Sequence, residues 1–542
     1  MSALWTKVKV AKQIGVQSDC ESAGIALVRD HDFVLPNTKY IVSQKAIALS
    51  LRHSILSASA VALVLSVTLV AGCETTSAAQ NAKPASTEPA AKPKATPKPL
   101  AKGMDSNAAL DPFPSTYKPL PGVATAIVGA TILTAAGEEI ENGTIVFADG
   151  KIVAVGKDVA IPDGAKRVEG RGKFVTPGII DIHSHLGVYP SPGVQANSDG
   201  NEATDPNTAE VWAEHSIWPQ DPGFNRAREG GITSLMILPG SANLFGGRSV
   251  TLKNVPSITE QGMKFPGAPY GLKMACGENP KRVYGSRSRS PSTRMGNIAV
   301  ARRAWIDAAD YNRKWNDYRA KIAAGEAAGD PPKRDLKLET LSGVLNGDIL
   351  IQNHCYRADE MALMMDMAKE FGYKITTFHH SSEAYKLAPV LKEADICSAT
   401  WADWQGFKME SLDGIAENAG ILQAHGACTI IHSDDATMIQ HLNQEAALAM
   451  GVAARAGIPV SRLEAIKWIT ANPARAIGIG AKTGSLEVGK MADIVLWDRD
   501  PFSTYALAQT VYVDGGIAYD RNDPATHARS DFDLGRPSLE QK

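Results

Sequence analysis

The chain has 542 residues, of which 44% are hydrophobic and 21% charged, and its formal net charge is -2. That length exceeds one ordinary domain and allows a large buried core. With no basic excess to neutralise phosphates, a nucleic-acid partner is not expected, and six cysteines in so long a chain do not make a disulfide scaffold.

The first 121 residues do not read as a fold. Residues 54–72 (SILSASAVALVLSVTLVAG) form an apolar run behind Lys45 and Arg52, and Cys73 follows at once. A basic flank, an apolar stretch and small residues before a cleavage point are the parts of an export signal. Val70-Ala71-Gly72-Cys73 resembles the lipobox of bacterial lipoproteins. The resemblance implies a lipid on Cys73, a membrane anchor and a periplasm-facing position in the cell envelope. Glu74, rather than Asp, resembles lipoproteins sent on to the outer membrane. The alternative is a permanent transmembrane helix, for which ~20 apolar residues suffice. Residues 1–53 are then an N-terminal extension, with the true start expected near Leu49 or Leu51. Residues 74–121, rich in Ala, Lys and Pro, bury too little apolar surface to offset their ordering entropy and are expected to form a disordered tether.

From residue 122 the pattern changes to β-branched runs: TAIVGATILT, GTIVFADG and KIVAVG, punctuated by Asn142-Gly143 and Ala148-Asp149-Gly150. Similar runs return in DIVLWDRDP (493–501) and TVYVDGGIAYD (510–520). Segments 122–175 and 481–522 are therefore expected to pair into one small β-sandwich. Between them, residues 176–480 alternate apolar strands with helices. The expected strands are 179–184, 232–238, 248–253, 270–276, 348–355, 374–380, 395–400 and 427–434. Eight such units predict a (β/α)8 TIM barrel, with the site at the C-terminal ends of the strands. Residues 523–542 are read as a tail.

Metal-capable residues cluster at those ends. His183 and His185, two apart on one strand, project from the same face, which suits a divalent metal better than a dry core. Lys273 interrupts the apolar run YGLKMACGEN, where an unpaired ammonium is expensive. His354 ends DILIQNHC, His379-His380 end KITTFHH, and Asp434-Asp435 end CTIIHSDD.

Taken together, TPGIIDIHSHLG, HHSSEAY, IIHSDD and TANPARAIGI…GSLEVGKMADIVLWDRDP resemble the amidohydrolase superfamily over about residues 122–522, and more closely its imidazolonepropionase-like branch with metal-dependent dipeptidases. The resemblance implies one or two divalent cations, with zinc expected, held by His183, His185, Lys273, His354, His380 and Asp434. It implies that Lys273 is carboxylated and bridges two metals, with Glu278 as the rival bridge, and that Asp434 carries the proton in catalysis. The H-x-x-E-A-Y pattern selects His380 as ligand, leaving His379 to pack against surrounding helices and Asp435 to cap a turn.

Other residues carry weaker expectations. His432 is read as a supporting partner of the ligands, Cys276 and Cys355 as small buried hydrophobes, and Trp401 and Trp404 as pocket walls. Arg357 binds a substrate carboxylate or forms a surface salt bridge. His215, His425 and His441 are expected to be solvated, and the insertion 277–346 to supply loops that shape the pocket. The implied activity is hydrolysis of a C–N bond in a cyclic amide, an N-acyl amino acid or a dipeptide by metal-activated water. A mononuclear deaminase or imidazolonepropionase-like hydrolase of a heterocycle is the first alternative, and a non-catalytic solute-binding lipoprotein the second. The partner is a small-molecule substrate, and assembly into a homo-oligomer stays open.

Overall fold

The computed structural model describes residues 100–528. The proposed signal, Cys73 and the extension 1–53 lie outside the described residues, as does most of the tail. Among the described residues, no helix is long and apolar enough to cross a membrane.

The β-branched runs near the start become β1 (Thr125–Leu133), β2 (Glu139–Ala148) and β3 (Lys151–Gly156), an antiparallel meander. Asp149 and Gly150 turn the second hairpin with φ of 50° and 77°. Asp-Gly is the pair that tolerates this doubly left-handed turn, whose twist matches that of the strands. β4 (Lys166–Glu169) and β5 (Phe174–Pro177) both add to β1 in parallel.

Eight central strands follow: β6 (Ile179–Ser184), β7 (Ile232–Ile237), β8 (Phe245–Lys253), β9 (Gly271–Ala275), β10 (Leu350–Cys355), β11 (Ile375–His380), β12 (Cys397–Thr400) and β13 (Cys428–Ile431). They form one sheet in chain order, and each falls on an expected segment. Their near-continuous apolar runs reflect burial on both faces. One direction differs from the expected parallel arrangement: β8 runs antiparallel to both β7 and β9. Only residues 238–244 join β7 to β8, too few for a parallel crossover, which needs about a dozen or more. The sheet is therefore mixed. Its two ends are tied where Asp434 N donates to His183 O at 2.9 Å and Ser433 Oγ donates to Asp181.

The chain then returns to its first module through β14 (Ile494–Trp497), β15 (Ala508–Val513) and β16 (Gly516–Asp520). β14 pairs antiparallel with β5, which joins the strands after the central sheet to those before it. The hydrogen bonding runs continuously as β16-β15-β14-β5-β1-β2-β3, where the sandwich reading implies two separate sheets. Ile127, Ile145, Phe147, Val175, Ile494 and Tyr512 supply its core. Buried Lys253 of β8 reaches Asp493 at 2.9 Å and Asp514 at 3.2 Å, linking the central sheet to this module.

Three expectations need correction. The described part of the supposed tether packs on the fold: Tyr117 OH donates to Asp514 Oδ2 at 2.6 Å, Ser115 Oγ to Lys264 O at 2.6 Å, and Tyr311 OH to Ser106 Oγ at 2.8 Å. Composition describes the Ala/Pro/Lys stretch, but a few polar and aromatic anchors decide where docking begins. The insertion 277–346 is largely helical, with helices Glu278–Gly285, Arg294–Ala323 and Leu336–Asn346. The longest of them buries Trp305 and Trp315. Finally, Cys276 and Cys355 are joined by a disulfide, and Cys397 and Cys428 by another. Cys397 and Cys428 lie directly opposite each other on β12 and β13, a juxtaposition that 31 residues of separation conceal in the sequence.

Candidate metal centre

β6 ends in the H-x-H pair. His183 is fully buried and His185 partly so. His185 Nδ1 lies 2.8 Å from Leu238 O. Because a carbonyl can only accept, Nδ1 carries the proton and Nε2 is left as a lone pair. His183 Nε2 lies 3.1 Å from Lys273 Nζ and 3.4 Å from Asp434 Oδ1, and His185 Nε2 lies 3.2 Å from the same oxygen. His183, His185 and Asp434 thus present donor atoms within 4.8 Å of one another, and His183, His380 and His432 form a second such group.

Asp434 sits at φ 60° and His380 at φ 68°, left-handed conformations that are uncommon outside glycine and concentrate at functional sites. The same bend explains why strand alternation misplaces His379. Regular pleating sends neighbours to opposite faces, but β11 ends at His380. His379 points at the first ligand strand instead of the helices, with Nδ1 2.9 Å from His183 Nδ1 and Nε2 2.7 Å from Gln352 Oε1. Asp435 caps the following turn, accepting from Thr437 N and Met438 N at 2.8 Å each.

The remaining donors are buried and uncharged. His354 and His380 rings lie 4.4 Å apart between centroids. Both nitrogens of His354 and Nδ1 of His380 are buried without a hydrogen-bond partner, an expensive arrangement unless something else uses the lone pairs. Burial, reinforced by Lys273, holds His183 and His354 well below the usual imidazole range, and burial with His354 nearby does the same to His380. Neutral imidazole is the metal-binding form. Burial also pulls the Lys273 ammonium down to about 7, against the opposing pull of Asp434. A lysine that is readily neutral is an amine able to take up CO2 and become a carbamate. Orphaned imidazoles, a buried lysine that gives up its proton readily and an adjacent carboxylate are a donor set that fits divalent cations.

Glu278 lies outside this group: its Oε1 pairs with Lys408 Nζ at 3.2 Å. Arg357 makes the surface salt bridge, with two 2.9 Å bonds to Asp359. His425 is exposed, and His215 is half-exposed and stacked on Trp212. Trp401 stacks on His380 at 4.3 Å and Trp404 on Trp401 at 5.0 Å. Tyr356 also stacks on His380 at 5.3 Å and lies 5.9 Å from Trp401, with Lys408 Nζ 3.9 Å from its ring centroid. Sequence reading overlooked Tyr356, Lys408 and Gln352; position two before or two after His354 was the available signal for Gln352 and Tyr356.

Residues 348–519 match the Amidohydrolase family. Amidohydrolase tasK of Hapsidospora irregularis is 34% identical over 415 residues, covering 73% of this chain; the chain spans only 41% of that protein's length. An imidazolonepropionase of Mesorhizobium japonicum is 24% identical over 387 residues, 66% of this chain and 87% of that enzyme. The solved structure of an amidohydrolase from Thermotoga maritima MSB8 shares 34% identity, covers 73% of this chain and 100% of its own, and superposes with a TM-score of 0.66. A shared fold at 34% identity over the whole of that relative, together with the family match over residues 348–519, shows that the chain belongs to the amidohydrolase family.

Proposed function

We propose that the protein is an exported, lipid-anchored, metal-dependent amidohydrolase built on a (β/α)8-type barrel that closes between β13 and β6. Its substrate is a small molecule with a hydrolysable C–N bond: a cyclic amide, an N-acyl amino acid or a dipeptide. The observation that carries this reading is the convergence of His183, His185 and Asp434 beside buried His354, His380 and Lys273. Those six residues would hold the metal. A divalent cation held there would supply Lewis acidity and acidify the attacking water, to a pKa of about 7 in the case of zinc. Asp434 takes the water's proton and delivers it to the departing nitrogen, because its carboxylate faces the donor group and is itself partly exposed. Tyr356 and Trp401 flank His380 and keep water from that side.

Metal analysis of the purified protein, joined to a screen against dipeptides, N-acyl amino acids and cyclic ureides, tests the reading. We expect two metals per chain, one lost in Lys273→Ala and none lost in Glu278→Ala. The opposite pattern would make Glu278 the bridge. Similarity to imidazolonepropionase favours a second reading, a mononuclear hydrolase of a heterocycle; one metal per chain and unchanged turnover in Lys273→Ala would select it. Metal-free protein inert on every substrate would leave the solute-binding reading.

Export draws support from the two disulfides, since such bonds persist in oxidising compartments and are rare in the cytosol. Labelled palmitate should enter the wild-type protein and be absent from Cys73→Ala. Undiminished labelling of that variant would end the lipoprotein assignment.

A further inference from the structure

We infer that Gln352 and His379 form a buried proton relay that fixes the tautomer of His183 and so presents its Nε2 to the metal. The inference rests on the metal reading above for its purpose, but not for its geometry.

The chain of hydrogen bonds starts at a backbone carbonyl. Gln352 Nε2 donates to Ala476 O at 3.2 Å. A carbonyl accepts only, so this contact fixes which end of the Gln352 amide is nitrogen. Gln352 Oε1 therefore faces His379 Nε2, 2.7 Å away, and can only accept there. His379 must carry its proton on Nε2. A neutral imidazole has one N–H, which leaves His379 Nδ1 as an acceptor. Opposite it, at 2.9 Å, lies His183 Nδ1, which must then be the donor. One proton is needed between the two rings, and the Gln352 amide decides which ring owns it. His183 Nε2 is consequently a bare lone pair, and it is the atom that faces Lys273 and Asp434.

The alternative, a doubly protonated His379, would place a cation among fully buried groups. Gln352, His379 and His183 are all 0% exposed, so an added charge there would lie out of reach of solvent. His185 reaches the same outcome by a shorter route, through Leu238 O. Both members of the H-x-H pair therefore offer Nε2, one oriented by a backbone carbonyl and the other by two side chains from β10 and β11. Gln352 and His379 are positioning residues: neither touches the reacting atoms. Groups that orient a ligand histidine in this way typically contribute 10–100-fold to metal affinity.

Two measurements test the relay. In chelated protein labelled with 15N-histidine, the His183 ring, assigned by its loss in His183→Asn, should show a protonated Nδ1 and an unprotonated Nε2. A proton on Nε2 would overturn the relay whether or not the protein binds metal. Zinc affinity, measured by competition with a chromophoric chelator, should fall roughly 10–100-fold in His379→Leu and by a comparable factor in Gln352→Leu. The double variant should be little worse than His379→Leu alone, because the two act in series. His379→Asn, which restores an acceptor near the position of Nδ1, should recover part of the loss. Wild-type affinity in a folded His379→Leu or Gln352→Leu would overturn the positioning role; should His379→Leu fail to fold, Gln352→Leu decides. A wild-type protein that binds no zinc yet shows the stated tautomer would sink the metal reading and leave the relay standing.

Discussion

Asp434→Asn is expected to lower turnover by about 10²–10⁴-fold, towards the upper end, while metal content and substrate binding change little. Asparagine keeps the shape and one acceptor oxygen, but it cannot hold a transferred proton. One carboxylate serves two transfers in the proposed cycle, so its loss is felt twice. The backbone is not a confounding factor. Asp434 adopts φ 60°, and Asn tolerates the left-handed region as well as Asp does, whereas alanine there would add strain. Its amide stays bonded to His183 O, so the variant side chain leaves from the same point. The histidines and Lys273 supply most of the donors, which is why metal content should survive. The measurement is turnover set against metal content in both proteins. Near-normal turnover in the metal-loaded variant would remove Asp434 from the mechanism. His432, whose ring lies 5.1 Å from that of His380, would then be the first alternative base to test.

How much of this was legible in the sequence follows from what each feature depends on. The eight central strands were legible because strands buried on both faces leave continuous apolar runs, and β6 to β13 fall on the expected segments. The H-x-H pair was legible because strand alternation is local. Features that depend on which strands become neighbours were not. Cys397 and Cys428 are unremarkable in the sequence and become a disulfide only once β12 lies beside β13. His379 was misplaced because pleating was extended one residue too far, to a β11 terminus where His380 turns left-handed. The direction of β8 was knowable in principle from the short link after β7, but the expectation of a regular repeat outweighed the count of residues. Docking of residues 106–117 was hidden by an average: composition over a long stretch conceals single anchors such as Tyr117.

Asp181→Ala is expected to destabilise the protein by about 3–5 kcal/mol, and the metal centre should suffer with it. Asp181 is fully buried two residues before His183. Its Oδ1 accepts from His183 N at 3.1 Å and Ser433 N at 3.3 Å, and its Oδ2 accepts from Ser433 Oγ. These bonds join the two strand ends that carry the H-x-H pair and Asp434. Alanine would leave the buried His183 and Ser433 amides without this acceptor, each costing roughly 1–3 kcal/mol, and leave Ser433 Oγ with only His183 O at 3.4 Å. Asparagine is the informative control, since it keeps the Oδ1 acceptor and Ser433 Oγ can turn to accept from its amide. Burial pushes the Asp181 carboxyl up to about 7 from 3.8. A raised folded-state pKa gives stability that is full below the unfolded value and is lost as pH rises through the folded one. Wild type should therefore lose stability relative to Asp181→Asn by up to about 1.4 kcal/mol per pH unit between about pH 4 and 7. Bound cations nearby favour the charged carboxylate, so chelated protein should show the steeper slope. Denaturant unfolding across that range measures both effects. If Asp181→Ala falls within about 0.5 kcal/mol of wild type, a margin typical of a surface change, Asp181 does not hold the two strand ends together.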